Sequence, residues 1–454
     1  MLVAALAALS IGAASADTVY ITGSTAFRKA ANSQIAAWVE SQGTVGSNGC
    51  GLIFSDTAGA SPVGATDIAW QWTNGGGTNY IVAHWSGSEG GIQNTAAPAG
   101  TKTYNYLNVA TATNLQTPQA FASTNIVAGS VGTSVIATNG NITFSDTTQS
   151  SSLFKGTYAG TTYTPLTGAG ASAPQVGVVT FVWIVNNATN GSGVPLVNSS
   201  IVNFTAENAR NILNAGHMPV AFVTGSNADT NATLWLVGRD IDSGTRLTTL
   251  GQTGYGTSKA VKQYFVGYTN STYSNATTTN SVYLTPATSV NGVTEVQGNA
   301  GYTSGSGSSA SGLCYQIKNY GVLATGTNLG TDTNFTAWTY TGPNYLLGYA
   351  GTGDAGKSSG SGAAGTLRLL SYNGTTYSDT AVQQGQYAFW GYEDLYYNAS
   401  TATANTAAIA NGVAANVLAT PTGGSSSGLW NAGVQLSTML VARGADFGVI
   451  LQNY

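Results

Sequence analysis

Leu234-Trp235-Leu236-Val237-Gly238-Arg239-Asp240-Ile241-Asp242-Ser243-Gly244-Thr245-Arg246 decides how this chain is read. An apolar run of strand type delivers the chain into a turn that holds a fixed cation, neighbouring acids, two hydroxyls and a glycine. Working outward, the same junction occurs twice before it. Thr18-Val19-Tyr20-Ile21 runs into Thr22-Gly23-Ser24-Thr25, and the apolar residues Phe27, Ala31, Ile35 and Trp38 then form one face of a helix. Ser24 or Thr25 is the expected N-cap of that helix. Tyr80-Ile81-Val82-Ala83-His84-Trp85 enters the glycine-rich turn Ser86-Gly87-Ser88-Glu89-Gly90-Gly91-Ile92-Gln93. Strands that alternate with helical stretches predict an α/β architecture, in which ligands collect at the carboxyl ends of strands.

Two further elements extend the pattern. Gln175 to Val185 is a β-branched and aromatic run, apolar enough for a strand buried on both faces and long enough to cross between two lobes. Thr205 to Leu213, closed near Gly216, reads as a short capped helix. Residues 186–200, 268–311 and 351–365 are rich in Gly, Ser, Thr and Asn and are expected as loops.

The 454 residues carry 13 Lys+Arg against 17 Asp+Glu, so only 7% of the chain is charged, where about 25% is usual. That balance offers no basic field for nucleic acid and no polybasic membrane anchor. A hydrophobic content of 42% supplies a core, and 60 Gly predict many turns. Met1 to Ala16 is an apolar run ending in Ala14-Ser15-Ala16, which predicts a cleaved signal peptide and a periplasmic or extracellular protein, although no Lys or Arg precedes it. No later run reaches the roughly 18 apolar residues of a membrane helix. Cys50 and Cys314 are too few for a disulfide scaffold, and the spacing leaves a bridge and two free thiols equally open.

Most chemical motifs fail on context. Gly351-Thr352-Gly353-Asp354-Ala355-Gly356-Lys357-Ser358 satisfies the phosphate-loop pattern, but such a loop must open a helix, and Ser359-Gly360-Ser361-Gly362 follows it. No ATP site is expected. The overlapping Gly-x-Ser-x-Gly at 356–360 has the same loop composition and no positioned base. His84 and His217 show no ligand spacing, so no metal is expected. No carboxylate pair has a spacing diagnostic of acid/base chemistry. Arg239 to Thr245 differs, because guanidinium binds an oxyanion bidentately while hydroxyls and glycine-exposed N–H groups complete a cradle. The bland alternative is a surface turn with a local Arg–Asp pair.

The order of these motifs resembles the substrate-binding proteins of high-affinity phosphate ABC transporters, as a diverged member with the type 2 periplasmic-binding-protein fold. Thr22 to Phe27 is similar to that family's first loop, Ser88-Glu89-Gly90-Gly91-Ile92 to its Ser-Ser-Gly-Gly loop, and Ile142 to Asp146 to its Ser-Asp-Ala-Pro segment. Arg239 to Thr245 matches its Arg-x-x-x-Ser-Gly-Thr signature, and Gly385 to Trp390 with Tyr392 to Tyr397 resemble its late Gly-x-Tyr-Pro segment. The resemblance implies two α/β lobes with two interlobe crossovers and long polar loop insertions: a first lobe of residues 17–180, a second of 181–379, and a return to the first over 380–454.

It also implies that phosphate or a similar oxyanion is held by Thr25, Ala26, Phe27, Ser88, Asp146, Arg239, Ser243, Gly244 and Thr245, with no cofactor, no metal and no covalent chemistry. Asp146 would accept a proton-bearing oxygen, which favours hydrogen phosphate over sulfate. Asp240 or Asp242 would orient Arg239, and an ABC-transporter permease would be the partner. Three positions depart from the family pattern. Ala26 replaces a hydroxyl, Glu89 puts a carboxylate near the expected anion that costs affinity unless it points away, and Arg28 is a cation that could offset it. The competing reading is a surface or extracellular structural or adhesive protein that reuses this fold. A secreted hydrolase is the third.

Overall fold

The computed structural model describes residues 17–46, 49–59, 62–74, 77–170, 174–190, 192–268, 282–289, 310–323, 342–358, 367–419 and 433–452. The expected signal peptide, residues 1–16, lies outside them. No helix among the described residues is long and apolar enough to cross a membrane.

The fold is mixed α/β, organised on one large sheet. In spatial order its strands are His217–Pro219, Thr233–Leu236, Asn344–Gly351, Gln175–Asn186, Trp390–Tyr397, Ile142–Ser145, Thr18–Gly23, Gly77–His84, Asp67–Asn74 and Gly51–Ser55. Thr18–Gly23 runs parallel to both of its neighbours, and Thr233–Leu236 runs parallel to Asn344–Gly351.

The long strand Gln175–Asn186 belongs to both ends of this sheet. Up to Thr180 it pairs with Trp390–Tyr397, and from Phe181 it pairs with Gly351 to Leu347. Such a strand is buried throughout, which is why its sequence is continuously apolar rather than alternating. Trp183, on its second stretch, packs against Phe204, Tyr349 and Phe389 with ring centroids 4.6, 5.3 and 6.2 Å away. The chain makes its second pass between the ends where it leaves Leu367–Tyr372 and enters Trp390–Tyr397.

The helix Arg28–Ser41 buries Ala31, Ile35 and Trp38 as its periodicity requires. Its start differs from expectation: Phe27 is the N-cap, and the Ser24 hydroxyl accepts the Phe27 N–H one turn earlier. The helix Ala206–Ala215 has Thr205 as N-cap in a reciprocal capping box with Asn208, and Gly216 closes it in the left-handed region at φ +81°.

Three expected loops are partly regular. The glycine-rich turn after Trp85 is a helix from Ser88 to Ala96, in which Gly90 and Gly91 allow close packing. A Cβ at residue 91 would lie 2.6 Å from Gly23 Cα. Within 268–311, Val282–Ser289 pairs antiparallel with Val261–Tyr268. Within 351–365, Thr352–Ser358 is helical. The phosphate-loop pattern from Thr352 on is therefore itself helical rather than a loop in front of a helix, and residues 359–365 lie outside the described ones. Cys50 and Cys314 are buried without a disulfide between them.

Candidate functional site

Strand ends from both halves of the sheet meet around Asp146. The first strand stops at Gly23, whose φ of +119° brings its Cα against the neighbouring strand: a Cβ there would lie 2.0 Å from the Phe144 carbonyl oxygen. Ser24 N–H donates to that carbonyl at 2.9 Å, and Gly87 N–H donates to the Gly23 carbonyl at 2.8 Å. Phe27 and Trp85 rest on Phe144, with ring centroids 6.0 and 5.7 Å away, so an aromatic floor fixes the turn.

The Ser88 helix and the Gly244 helix present their N-termini side by side. Gly90 N–H donates to the Asp242 carbonyl at 3.1 Å. Ser243 is the N-cap of Gly244–Gln252, its hydroxyl accepting the Arg246 N–H at 3.2 Å. Gly244 packs on both Ser88 and Asp146: a Cβ on it would lie 2.6 Å from Ser88 Cβ and 1.5 Å from Asp146 Oδ1. Asp146 N–H donates to Ser88 Oγ at 3.1 Å. The Asp146 carbonyl accepts the Thr248 hydroxyl at 3.5 Å.

Arg239 is 3% exposed, and its backbone is anchored on both sides. Its N–H donates to Tyr349 Oη at 3.3 Å, and its carbonyl accepts Gln263 Nε2 at 3.0 Å. The guanidinium Nε and Nη1 atoms have no hydrogen-bond partner, and neither has Asp146 Oδ1. Burial lifts the Asp146 carboxyl to about 6, against the opposing pulls of the Ser88 hydroxyl and the Arg239 charge.

Ser88, Asp146, Arg239, Ser243, Gly244 and Thr245 are all buried around this junction. Thr25 and Ala26 are half-buried in the adjoining turn, where Ala26 Cβ would be 3.4 Å from a Cβ on Gly351. The Phe27 ring is in the core and its N–H is taken by Ser24.

Glu89 is engaged by protein hydroxyls, within electrostatic reach of Asp146. Thr147 and Ser152 hydroxyls each donate to its carboxyl at 2.7 Å, and burial raises it to about 7. Arg28 does not balance it: its Nη1 donates to Thr66 at 2.9 Å, and its electrostatic partners are Asp354, Asp56 and Asp67. His84 meets Asp67 at 2.8 Å, and His217 stacks on Trp235. No cluster of three or more His, Cys, Asp or Glu fit to hold a metal ion occurs among the described residues.

Glu393, Tyr349, Gln263 and Thr248 were not singled out from sequence. For Glu393 a signal existed, since Glu393-Asp394 interrupts the otherwise apolar and aromatic strand Trp390–Tyr397.

No family model matches the chain, and no curated protein matches it. Solved structures similar to it include a protein assigned as a phosphate ABC transporter substrate-binding protein, with bound phosphate, from Clostridium perfringens. The identity is 10% over 88% of this chain and 96% of that one, with a TM-score of 0.39. An ABC-type phosphate transport receptor from Vibrio cholerae gives 10% identity, the same coverages and a TM-score of 0.36. PstS from Borrelia burgdorferi gives 12% identity over 84% of this chain and 87% of that one, with a TM-score of 0.31.

Proposed function

We propose that this chain is an exported solute-binding protein that captures inorganic phosphate, or a related tetrahedral oxyanion, between two lobes and delivers it to an ABC-transporter permease. The reading divides the chain into residues 17–180 with 380–454 and residues 181–379, and it takes Met1 to Ala16 as the export signal.

One observation carries it. A buried guanidinium with two unpartnered nitrogens acts on a buried carboxylate with an unpartnered oxygen, and that carboxylate lies against Ser88 and Gly244, the first residues of two helices. Burying such groups without partners is costly, and an anion that still carries a proton supplies what both lack. The guanidinium and the helix N–H groups take its charged oxygens. In this reading the Thr25, Ser88, Ser243 and Thr245 hydroxyls add further donors to the anion.

Asp146, ionised above about pH 6, accepts a hydrogen bond only from an oxygen that still carries a proton. Hydrogen phosphate has one and sulfate does not. Calorimetric titration of residues 17–454 with phosphate and with sulfate tests the reading. Saturable heat with phosphate and not with sulfate is expected, and heat with neither anion overturns it.

A further inference from the structure

Glu393 stands where the proposed oxyanion site leaves a carboxyl unexplained. In the pairing of Trp390–Tyr397 with Ile142–Ser145, Asp394 is opposite Ser145, so Glu393 takes the next register position, beside Asp146. Gly391 lies two residues earlier on the same face of that strand. A Cβ there would be 3.1 Å from the Asp146 carbonyl oxygen and 3.8 Å from the Thr248 side chain, which directs this face toward the Gly244 helix.

Glu393 is 0% exposed, and neither of its carboxyl oxygens makes a full hydrogen bond. The charged groups that act on it are Asp146 from the neighbouring strand and Asp394 from its own, with only the Ser24 hydroxyl in relief. No cation is among them, and buried carboxylates persist only when paired. A neutral carboxylic acid, unlike a carboxylate, is a hydrogen-bond donor.

We propose that Glu393 is a second ligand-contacting carboxyl of this site, giving a hydrogen bond to the bound anion where Asp146 takes one. The inference rests on the oxyanion reading above. It narrows the ligand to a tetrahedral oxyanion that presents a protonated oxygen to Asp146 and a charged oxygen to Glu393, the description met by hydrogen phosphate. Asp146 then sets the choice of anion, while Glu393 adds affinity that depends on its own proton. The direction of its shift, well above the ordinary carboxyl range, agrees with a proton retained at neutral pH.

The test is calorimetry with inorganic phosphate across neutral to alkaline pH on the full chain, Glu393→Gln, Glu393→Leu and Arg239→Ala, with thermal melts to confirm folding. Glu393→Gln keeps a donor N–H and has no proton to lose, so it binds within about threefold of the parent at pH 7 and lacks the parent's decline in affinity toward alkaline pH. Glu393→Leu keeps the volume without a donor and binds at least tenfold more weakly. If Glu393→Leu binds like the parent while Arg239→Ala does not bind, this inference fails and the oxyanion reading stands. If the parent itself does not bind phosphate, both fail.

Discussion

Gly244 packs directly onto the carboxylate of Asp146, with room for hydrogen and for nothing larger: a Cβ at 244 would lie 1.5 Å from Asp146 Oδ1. The contact joins a helix N-terminus to a strand end far away in sequence, and the geometry of the cradle depends on it. Gly244→Ala has to push Asp146 or Ser88 aside, and overpacking of this kind costs about 1–3 kcal/mol. The expected outcome is a lowered melting temperature together with at least a tenfold loss of phosphate affinity. A variant with unchanged affinity would show that this contact does not shape the site.

Arg239→Ala removes a guanidinium whose Nε and Nη1 bond to nothing in the protein. The Tyr349 and Gln263 bonds to its backbone remain. Phosphate binding is expected to fall by a hundredfold or more, about 2.7 kcal/mol, with little change in the melting temperature. Unfolding of the variant would instead mean that Arg239 is a structural residue.

Asp146→Asn replaces an acceptor-only group with an amide that also donates. Phosphate affinity should drop at least tenfold, and the preference for phosphate over sulfate should narrow. Competition between the two anions, followed by calorimetry, measures both. An unchanged preference would remove Asp146 from the specificity argument.

Glu89 gives a pH prediction. Its folded carboxyl titrates at about 7 against an ordinary 4.5, raised by burial. The folded state therefore holds this proton more tightly than the unfolded chain. The associated stability is fully present below about pH 4.5 and is lost as pH rises through 7, on the order of 3 kcal/mol for the whole shift. Asp146 titrates in part of the same window, so the comparison must be between variants. Urea unfolding at several pH values should show a shallower decline between pH 4.5 and 7.5 for Glu89→Gln than for the parent. Identical slopes would mean that the Thr147 and Ser152 hydroxyls already stabilise the ionised form.

Much of the fold is legible in short stretches. The stripe Phe27, Ala31, Ile35 and Trp38 is a helix face, and its residues are buried together. Thr205 caps its helix, and Gln175 to Asn186 is one long buried strand. Arg239 to Thr245 does pass from a strand end to a helix N-terminus. The misreadings came where a local rule met a distant partner. Ser86 to Gln93 reads as a glycine-rich turn, yet a helix starts at Ser88, and Gly23, Tyr104 and Asp242 crowd Gly90 and Gly91 so that only glycine fits there. Glu89 lies in the stretch similar to an anion site, and the Thr147 and Ser152 hydroxyls, distant in sequence, hold its carboxyl.

The sequence by itself determined the elements, because helical period, β-branched runs and capping residues act over a few positions and need no partner outside their own segment. It also determined a chain with few charges, so that any cation or acid kept inside stands out. Only the tertiary structure decided which of those charges share a neighbourhood. The register of Trp390–Tyr397 against Ile142–Ser145 puts Glu393 beside Asp146, and Gly244 closes on the same carboxylate. The physical reason is range: strand register and burial are settled by contacts between residues hundreds of positions apart, and a carboxyl's protonation follows its burial and its neighbours rather than its place in the chain.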